Sequence, residues 1–188
     1  MRAAAARTRL EFVRALDLGA RPEFVFFWGH RPPAAGAVGP SALSQFYAAA
    51  FELGGERYAT AEHWMMAEKA RLFGDAQQRR AILHSVDPDE AKRHGRRVRA
   101  FDEERWAAAR WDIVVAGNEA KFGQSSALRS FLLGTGERVL VEASPLDPIW
   151  GAGVGRTDPR APDPRRWPGE NLLGFALMEV RERLRRAH

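Results

Sequence analysis

Residues 58–70 read YATAEHWMMAEKA, and this stretch decides how the chain is organised. Thr60 is a residue type that favours the position just before a helix, and helix-forming residues then continue until Gly74. The pattern predicts a helix over residues 61–73. Glu62 and Lys69 are seven residues apart, which is close to two turns of about 3.6 residues each. Their side chains, a carboxylate and an amine, therefore emerge on one face of this helix.

The segments on either side of this helix carry equally clear signals. On the N-terminal side, Gly54-Gly55 separates residues 51–53 from residues 56–58, and a two-residue glycine turn of this kind closes a β-hairpin. On the C-terminal side, the capping residues Asp75 and Asp87 each precede helix-forming residues. We predict further helices over residues 76–84, 88–94 (ended by Gly95), 103–122 and 126–133, and a last one from about residue 171.

Two more segments, residues 23–29 and 138–142, have the composition of short strands. Together with the helices they predict an α+β fold, a single helix-rich domain with a small β-sheet, for which 188 residues suffice. We assign residues 1–22 to an N-terminal extension, frayed or helical, and residues 23–186 to the domain.

The composition limits the chemistry. The chain has no cysteine, which removes disulfides, thiolate metal ligands and cysteine nucleophiles together. No second histidine stands four residues after His63, so the zinc-protease arrangement is absent, and we expect no metal and no other cofactor. Because no apolar run is long enough to span a membrane or to act as a signal peptide, we expect a cytoplasmic protein without a membrane partner. The net charge of +5 suits an anionic ligand without requiring one.

Three residues are candidates for catalysis on their own chemistry. Glu62 lies in the first turn of its helix, where the positive end of the dipole favours an ionised carboxylate, although such a glutamate is common in any helix. Lys69 is one of three lysines in an arginine-rich chain, and lysine, unlike arginine, can lose its proton; the alternative is an exposed, solvated lysine. Asp147 precedes Gly151 and Gly153, which permit close approach of the backbone to a ligand or form a structural turn.

Aromatic and basic residues are more ambiguous. Tryptophans are more often core residues than stacking platforms, although a nucleobase site needs one of them. The run Arg93, Arg96, Arg97 and Arg99 is typical of a solvated face, with phosphate binding as the alternative.

Six ordered blocks of the sequence resemble the NADAR (YbiA-like) family. They are FWGH (27–30), LSQFY (43–47), the stretch 58–70 quoted above, KFGQ (121–124), DPIWGAG (147–153) and NLLG (171–174). The likeness extends over about residues 24–184. It implies a YbiA-type α+β fold and cleavage of an N-glycosidic bond.

The resemblance also implies a substrate class. The best known activity of the family is hydrolysis of the first two intermediates of riboflavin biosynthesis, both ribosylamino-pyrimidine 5′-phosphates, so we expect a small phosphoribosyl substrate. Other members remove ADP-ribose from guanine, and ADP-ribosylated nucleic acid is therefore the alternative partner. A third interpretation is a non-catalytic NAD or ADP-ribose binding module.

The same resemblance assigns roles to residues. Glu62 and Asp147 match the family's two acidic residues, and Lys69 matches its lysine, which donates a proton or attacks C1′ to form a Schiff base. The residues expected to bind substrate are Trp28, His63, Trp106, Trp150, Gly151 and Asn171. The sequence departs from the family at Gln45, where many members have Asn, and this departure bears on substrate class if position 45 touches the ligand.

Overall fold

The computed structural model describes residues 3–34 and 36–187. Its helices and strands, numbered in chain order, are α1 (Arg9–Asp17), β1 (Phe24–Phe27), β2 (Phe51–Leu53), β3 (Glu56–Tyr58), α2 (Ala61–Leu72), α3 (Ala76–His84), α4 (Pro88–Arg96), α5 (Glu103–Gly123), α6 (Ser126–Gly134), β4 (Val139–Glu142) and α7 (Leu172–Arg186). No helix within these two ranges is long and apolar enough to cross a membrane. The chain folds into two compact units, one formed by residues up to Ser44 together with those from Ala127 onward, the other by Gln45–Ser126.

The Gln45–Ser126 unit begins with the predicted hairpin. Strands β2 and β3 pair antiparallel, with Phe51 opposite Tyr58. Gly54 and Gly55 have φ angles of 63° and 80°, the left-handed conformation that a tight two-residue hairpin turn requires at both positions. The hairpin prediction is therefore confirmed.

The predicted helix starts in this unit are confirmed as well. The side chain of Thr60 accepts the His63 N–H at 3.3 Å, and that of Asp75 accepts the Gln78 N–H at 3.1 Å. Asp87 accepts the Glu90 N–H at 2.8 Å. Each side chain satisfies one of the backbone donors that a helix leaves unpaired at its N-terminus.

The predicted end of α4 at Gly95 is wrong, because the helix continues through this residue to Arg96. Gly95 packs against Met66 of α2, and a Cβ atom at position 95 would lie only 2.8 Å from Met66 Cγ. Gly117 has the same function in α5, where a Cβ atom would lie 2.7 Å from Nε1 of Trp64. These glycines permit close contact between helices instead of ending them.

The other unit is built around a pair of parallel strands. β1 pairs with β4, with Phe24 opposite Val139 and Phe27 opposite Glu142. The ring of Phe12 in α1 is fully buried, and its centroid lies 6.2 Å from that of Phe24 and 5.9 Å from that of Phe175 in α7. The boundary between residues 22 and 23 stays a prediction, and residues 1 and 2 of the expected extension lie outside the described residues.

The predicted α+β, helix-rich architecture is confirmed. In the described part of the chain the strands form two two-stranded sheets instead of one small sheet. The reason is that β2 and β3 form their backbone hydrogen bonds with each other, whereas β1 pairs with β4, which lies more than a hundred residues later in the chain.

Candidate active site

Glu62 occupies the first turn of α2 and is only 2% exposed. Its backbone N–H donates to the Gln45 carbonyl at 3.0 Å. The Asn118 side chain in α5 donates to the side-chain oxygen of Gln45 at 2.8 Å and to the Val114 carbonyl at 2.8 Å. The peptide that carries Glu62 is thus held by Gln45, and Gln45 is held by α5.

His63 is fixed by two protein groups. Its Nδ1 lies 2.8 Å from Thr60 Oγ1, and its Nε2 lies 3.4 Å from the Ser85 carbonyl oxygen. Burial lowers the pKa of the ring, against the opposing effects of the Ser85 carbonyl and of nearby carboxylates. The ring therefore anchors the start of α2, and its expected contact with substrate stays a prediction.

Lys69 is half-buried and lies against aromatic rings. Its Nζ is 4.1 Å from the ring centroid of Phe101 and 5.7 Å from that of Trp106. Burial lowers the pKa of Lys69, whereas the charges of Glu103 and Glu62 raise it and that of Arg96 lowers it. A larger fraction of this amine is consequently neutral near pH 7 than of an exposed lysine.

Trp106, in the first turns of α5, is buried except for a small part of its surface. Because its ring faces the Lys69 amine, the predicted tryptophan and the predicted lysine share one region of the Gln45–Ser126 unit. Phe101 completes this region, although it is 42% exposed and nothing in its sequence context indicated a functional role.

Asp147 shapes its own loop. One carboxylate oxygen accepts the N–H groups of Ile149 at 3.0 Å and Trp150 at 2.8 Å, a typical side-chain-capped turn. A Cβ atom at Gly151 would lie 2.9 Å from the Asp147 carbonyl oxygen and 2.9 Å from Ser144 Cβ. The close packing of the loop thus leaves no room for a side chain at position 151, which explains the glycine. Its contact with a ligand stays a prediction.

Asn171 has a left-handed backbone, with φ of 55°. Its side-chain oxygen accepts the Glu142 N–H at 2.9 Å, and its amide donates to the Leu140 carbonyl at 3.0 Å. Its backbone N–H donates to the Gly151 carbonyl at 2.9 Å. Asn171 therefore joins the start of α7 to β4 and to the Asp147 loop, and a role in substrate binding stays a prediction.

Trp28 follows β1 directly and is 66% exposed. The Asp147 loop follows β4, and the Ala143 N–H at its start donates to the Phe27 carbonyl at 2.8 Å. Because parallel strands end at the same edge of a sheet, Trp28 and the Asp147 loop leave from one edge.

The predicted site residues divide between the two units. The residues in the Gln45–Ser126 unit are Glu62, His63, Lys69 and Trp106. The residues in the other unit are Trp28, Asp147, Trp150, Gly151 and Asn171. Within residues 3–34 and 36–187, no group of three histidine, aspartate or glutamate side chains is placed to hold a metal ion.

Lys121 of α5 was not among the predicted site residues. It is 1% exposed, and burial lowers the pKa of its amine to about 7. Its Nζ lies 5.0 Å from the Phe122 ring centroid and 5.6 Å from that of Tyr47. Two signals could have identified it, the scarcity of lysine in the chain and its place at the start of the block KFGQ (121–124).

Comparisons with known proteins identify a family and several relatives that the chain resembles. The model of the NADAR domain matches residues 26–185. N-glycosidase R617 of Acanthamoeba polyphaga mimivirus is 41% identical over 165 residues, which cover 85% of this chain and 95% of that protein. N-glycosidase YbiA of Escherichia coli (strain K12) is 32% identical over 142 residues, 76% of this chain and 80% of that protein. The solved NMR structure of the E. coli protein YbiA matches with a TM-score of 0.66 at 28% identity, and covers 89% of this chain and 88% of that chain.

Proposed function

The chain belongs to the NADAR family, and on that premise we propose that it hydrolyses the C1′–N bond of ribosylamino-pyrimidine 5′-phosphates, the early intermediates of riboflavin biosynthesis. It is a hydrolase that acts on N-glycosyl compounds, since relatives that it matches over most of their length are N-glycosidases. A cytoplasmic location, a domain over residues 23–186 and a small phosphoribosyl substrate are parts of the same proposal.

One observation carries the assignment of the chemistry. The buried carboxylate Glu62 and the half-buried amine Lys69 lie on the same helix, and the charge of Glu62 acts on the pKa of Lys69. Lys69 in turn faces the ring of Trp106, a surface on which a nucleobase can stack. A carboxylate can stabilise charge on the sugar, an amine can assist the leaving group, and an aromatic ring can hold the base, so these three groups suit this hydrolysis.

Glu62 acts on the sugar. When the C1′–N bond breaks, its electron pair leaves with the nitrogen and positive charge develops on the ribose, which an ionised carboxylate stabilises. Glu62 suits this role because the N-terminus of α2 favours its ionised form. The match of Asp147 to an acidic residue of the family supports a separate role for it, and we assign to it the activation of the water that adds to C1′, with transfer of the water proton to its own carboxylate.

Lys69 acts on the leaving group or on C1′ itself. As an ammonium it donates its proton to the departing nitrogen, which leaves as a neutral amine. As a neutral amine it attacks C1′ and displaces the pyrimidine amine, which leaves with the electron pair of the C1′–N bond and takes one proton from the attacking nitrogen. The second proton of that nitrogen then passes to O4′ as the ribose ring opens to a Schiff base, and water hydrolyses the Schiff base to free ribose 5-phosphate and regenerate the lysine. Borohydride reduction and mass spectrometry distinguish the two, since only the Schiff base leaves a covalent adduct on Lys69.

The function is tested by assaying ribosylamino-pyrimidine 5′-phosphate and ADP-ribosylated guanine in DNA side by side. We expect release of the pyrimidine, and a fall in kcat of about 100-fold or more for Glu62→Gln, the size found when one preorganised electrostatic group is removed. Glu104→Gln is the matched control, because Glu104 is also a first-turn glutamate but is exposed on α5.

Three results would contradict the assignment. Release of ADP-ribose alone would move the function to ADP-ribosyl-guanine hydrolysis. Tight binding of ADP-ribose without turnover of any glycoside would make the protein a binding module. An unchanged kcat in Glu62→Gln would remove Glu62 from the mechanism.

A further inference from the structure

Two cations of α4, the half-buried Lys92 and the exposed Arg96, lie close to the residue through which α4 packs against α2. Lys92, Gly95 and Arg96 are spaced three and four residues apart, so they share one face of α4. Gly95 is the point of contact, since a Cβ atom there would lie 2.8 Å from Met66 Cγ and 3.1 Å from Met66 Cβ. Lys92 precedes this contact by about one turn of α4, and Arg96 follows it directly in the chain.

Met66 lies between the two candidate catalytic residues of α2, four residues after Glu62 and three before Lys69. The helices thus meet at the middle of the stripe that carries the carboxylate and the amine. The side chains that flank Gly95 are consequently brought next to this stripe.

A contact of Lys92 and an electrostatic effect of Arg96 indicate which end of the stripe each cation approaches. Nζ of Lys92 lies 5.3 Å from the ring centroid of Phe46, the neighbour of Gln45, whose carbonyl accepts the Glu62 N–H at 3.0 Å. At the other end, burial is the main cause of the low pKa of Lys69, and the Arg96 guanidinium lowers it further. Lys92 is therefore near the Glu62 end of the stripe and Arg96 is near the Lys69 end.

Neither cation is neutralised by a carboxylate. Among the ion pairs of residues 3–34 and 36–187, none within 4.0 Å includes Lys92 or Arg96. Arg99, from the same basic run, behaves differently, because its guanidinium is held by Asp75 at 3.0 Å. Two cations without carboxylate partners beside a sugar-cleaving site suit an anionic part of the substrate.

We propose that Lys92 and Arg96 form the phosphate-binding subsite for the phosphate ester carried by the ribose, an assignment that rests on the function proposed above. The ligand chemistry is a ribosyl phosphate, which is shared by a ribose 5′-monophosphate and by the diphosphate of ADP-ribose. The two cations bind the phosphate oxygens through charge-assisted hydrogen bonds and so place C1′ of the ribose beside Glu62.

The test measures binding, which does not depend on turnover. Ribose 5-phosphate and ADP-ribose are titrated by calorimetry into wild type, Lys92→Gln, Arg96→Gln and the control Arg93→Gln. Arg93 is an exposed cation of the same helix, about 100° around the axis from Lys92. We expect Kd to rise about tenfold in each of the first two variants, the loss of one charge-assisted hydrogen bond, and to stay unchanged in the control. A rise confined to one of the two ligands identifies the monoester or the diphosphate as the group that is bound.

Wild-type affinity for both ligands in Lys92→Gln and Arg96→Gln, with unchanged thermal unfolding, would overturn the subsite. Different results would refute the subsite and the proposed function. If wild type cleaves the pyrimidine glycoside but the two variants keep its KM, the subsite is wrong and the function stands. If the two variants lose affinity for phosphate but wild type cleaves no glycoside, the function is wrong and the subsite stands.

Discussion

Replacing Gly117 by alanine should weaken the contact between α2 and α5 that holds the candidate site together. In an open helix the change would stabilise the protein by about 0.5–1 kcal/mol, because alanine loses less conformational freedom than glycine. Here the added Cβ atom would lie 2.7 Å from Nε1 and 2.9 Å from Cγ of Trp64, well inside the distance of about 3.5–4.0 Å that carbon atoms prefer. The rigid indole ring cannot bend away as a long aliphatic side chain can.

The expected cost follows from these contacts. Overpacking of a core costs roughly 1–3 kcal/mol, and displacement of Trp64 also weakens its 2.7 Å hydrogen bond to the Ile113 carbonyl, worth about 0.5–1.5 kcal/mol. After the gain in helix propensity, we expect the free energy of unfolding to fall by about 1–3 kcal/mol. Activity should fall as well, because Trp106 of α5 and Lys69 of α2 are placed by the same helix contact.

Urea denaturation of wild type, Gly117→Ala and Gly134→Ala measures this difference. Gly134 is the matched control, since it is a helical glycine whose added Cβ atom would have no heavy atom within 4 Å. The control should be neutral or slightly more stable than wild type. If Gly117→Ala is as stable as Gly134→Ala, the close approach of the two helices is not a constraint and the reasoning is refuted.

Four further predictions concern the chemistry and its support. Lys69→Arg should be as inactive as Lys69→Ala, because arginine keeps the charge but cannot lose its proton near neutrality; near-normal kcat in the arginine variant would reduce Lys69 to an anion-binding charge. Asn118→Leu should lower the free energy of unfolding by roughly 1–3 kcal/mol, since it leaves the buried Gln45 oxygen without its donor. It should also lower kcat more than it changes KM, and steady-state kinetics equal to those of wild type would show that Asn118 does not help to position Glu62. The pKa of Lys121 is about 7 in the folded chain against an ordinary 10.5, so the unfolded chain binds more protons between these two values, and the free energy of unfolding should rise with pH from about 7 towards 10.5. Lys121→Met should flatten this pH dependence in urea denaturation, and an unaltered slope would contradict the burial of a neutral amine. Activity should survive prolonged treatment with EDTA, and loss of activity that one divalent ion restores would reveal a metal site.

Local signals explain why much of the fold was predictable. The side chains of Thr60, Asp75 and Asp87 each accept a hydrogen bond from the backbone N–H three residues later. All the residues that define such a helix start therefore lie within one turn of the sequence. The hairpin at Gly54-Gly55 is equally local. The error at Gly95 has the opposite cause, because a glycine that ends a helix and one that lets another helix approach look alike until the partner, Met66, is known.

The candidate site was predictable where one helix face carries it and not where separate elements meet. The spacing of Glu62 and Lys69 along α2 was sufficient to place both on one stripe. In contrast, the contact of Lys69 with Phe101 depends on how α5 packs beside α2, and no periodicity in the sequence reports it. The same holds for the buried Lys121, whose altered pKa arises from its surroundings and not from its neighbours in sequence.

Gln45, the position where the sequence departs from the pattern of the family it resembles, connects two elements of the Gln45–Ser126 unit. Its side chain accepts a hydrogen bond from Asn118, while its backbone carbonyl accepts the N–H of Glu62, so position 45 links α5 to the candidate catalytic carboxylate. An asparagine there is shorter by one methylene, and its amide would not reach Asn118 at 2.8 Å unless α5 moved closer. Within the described residues the other side-chain atoms of this amide pair, Gln45 Nε2 and Asn118 Oδ1, are buried without hydrogen-bond partners, a costly arrangement if stability were its purpose. The pair instead fixes the position of the Glu62 peptide relative to α5. We therefore expect a change at residue 45 to affect the placement of Glu62 more directly than the choice of base.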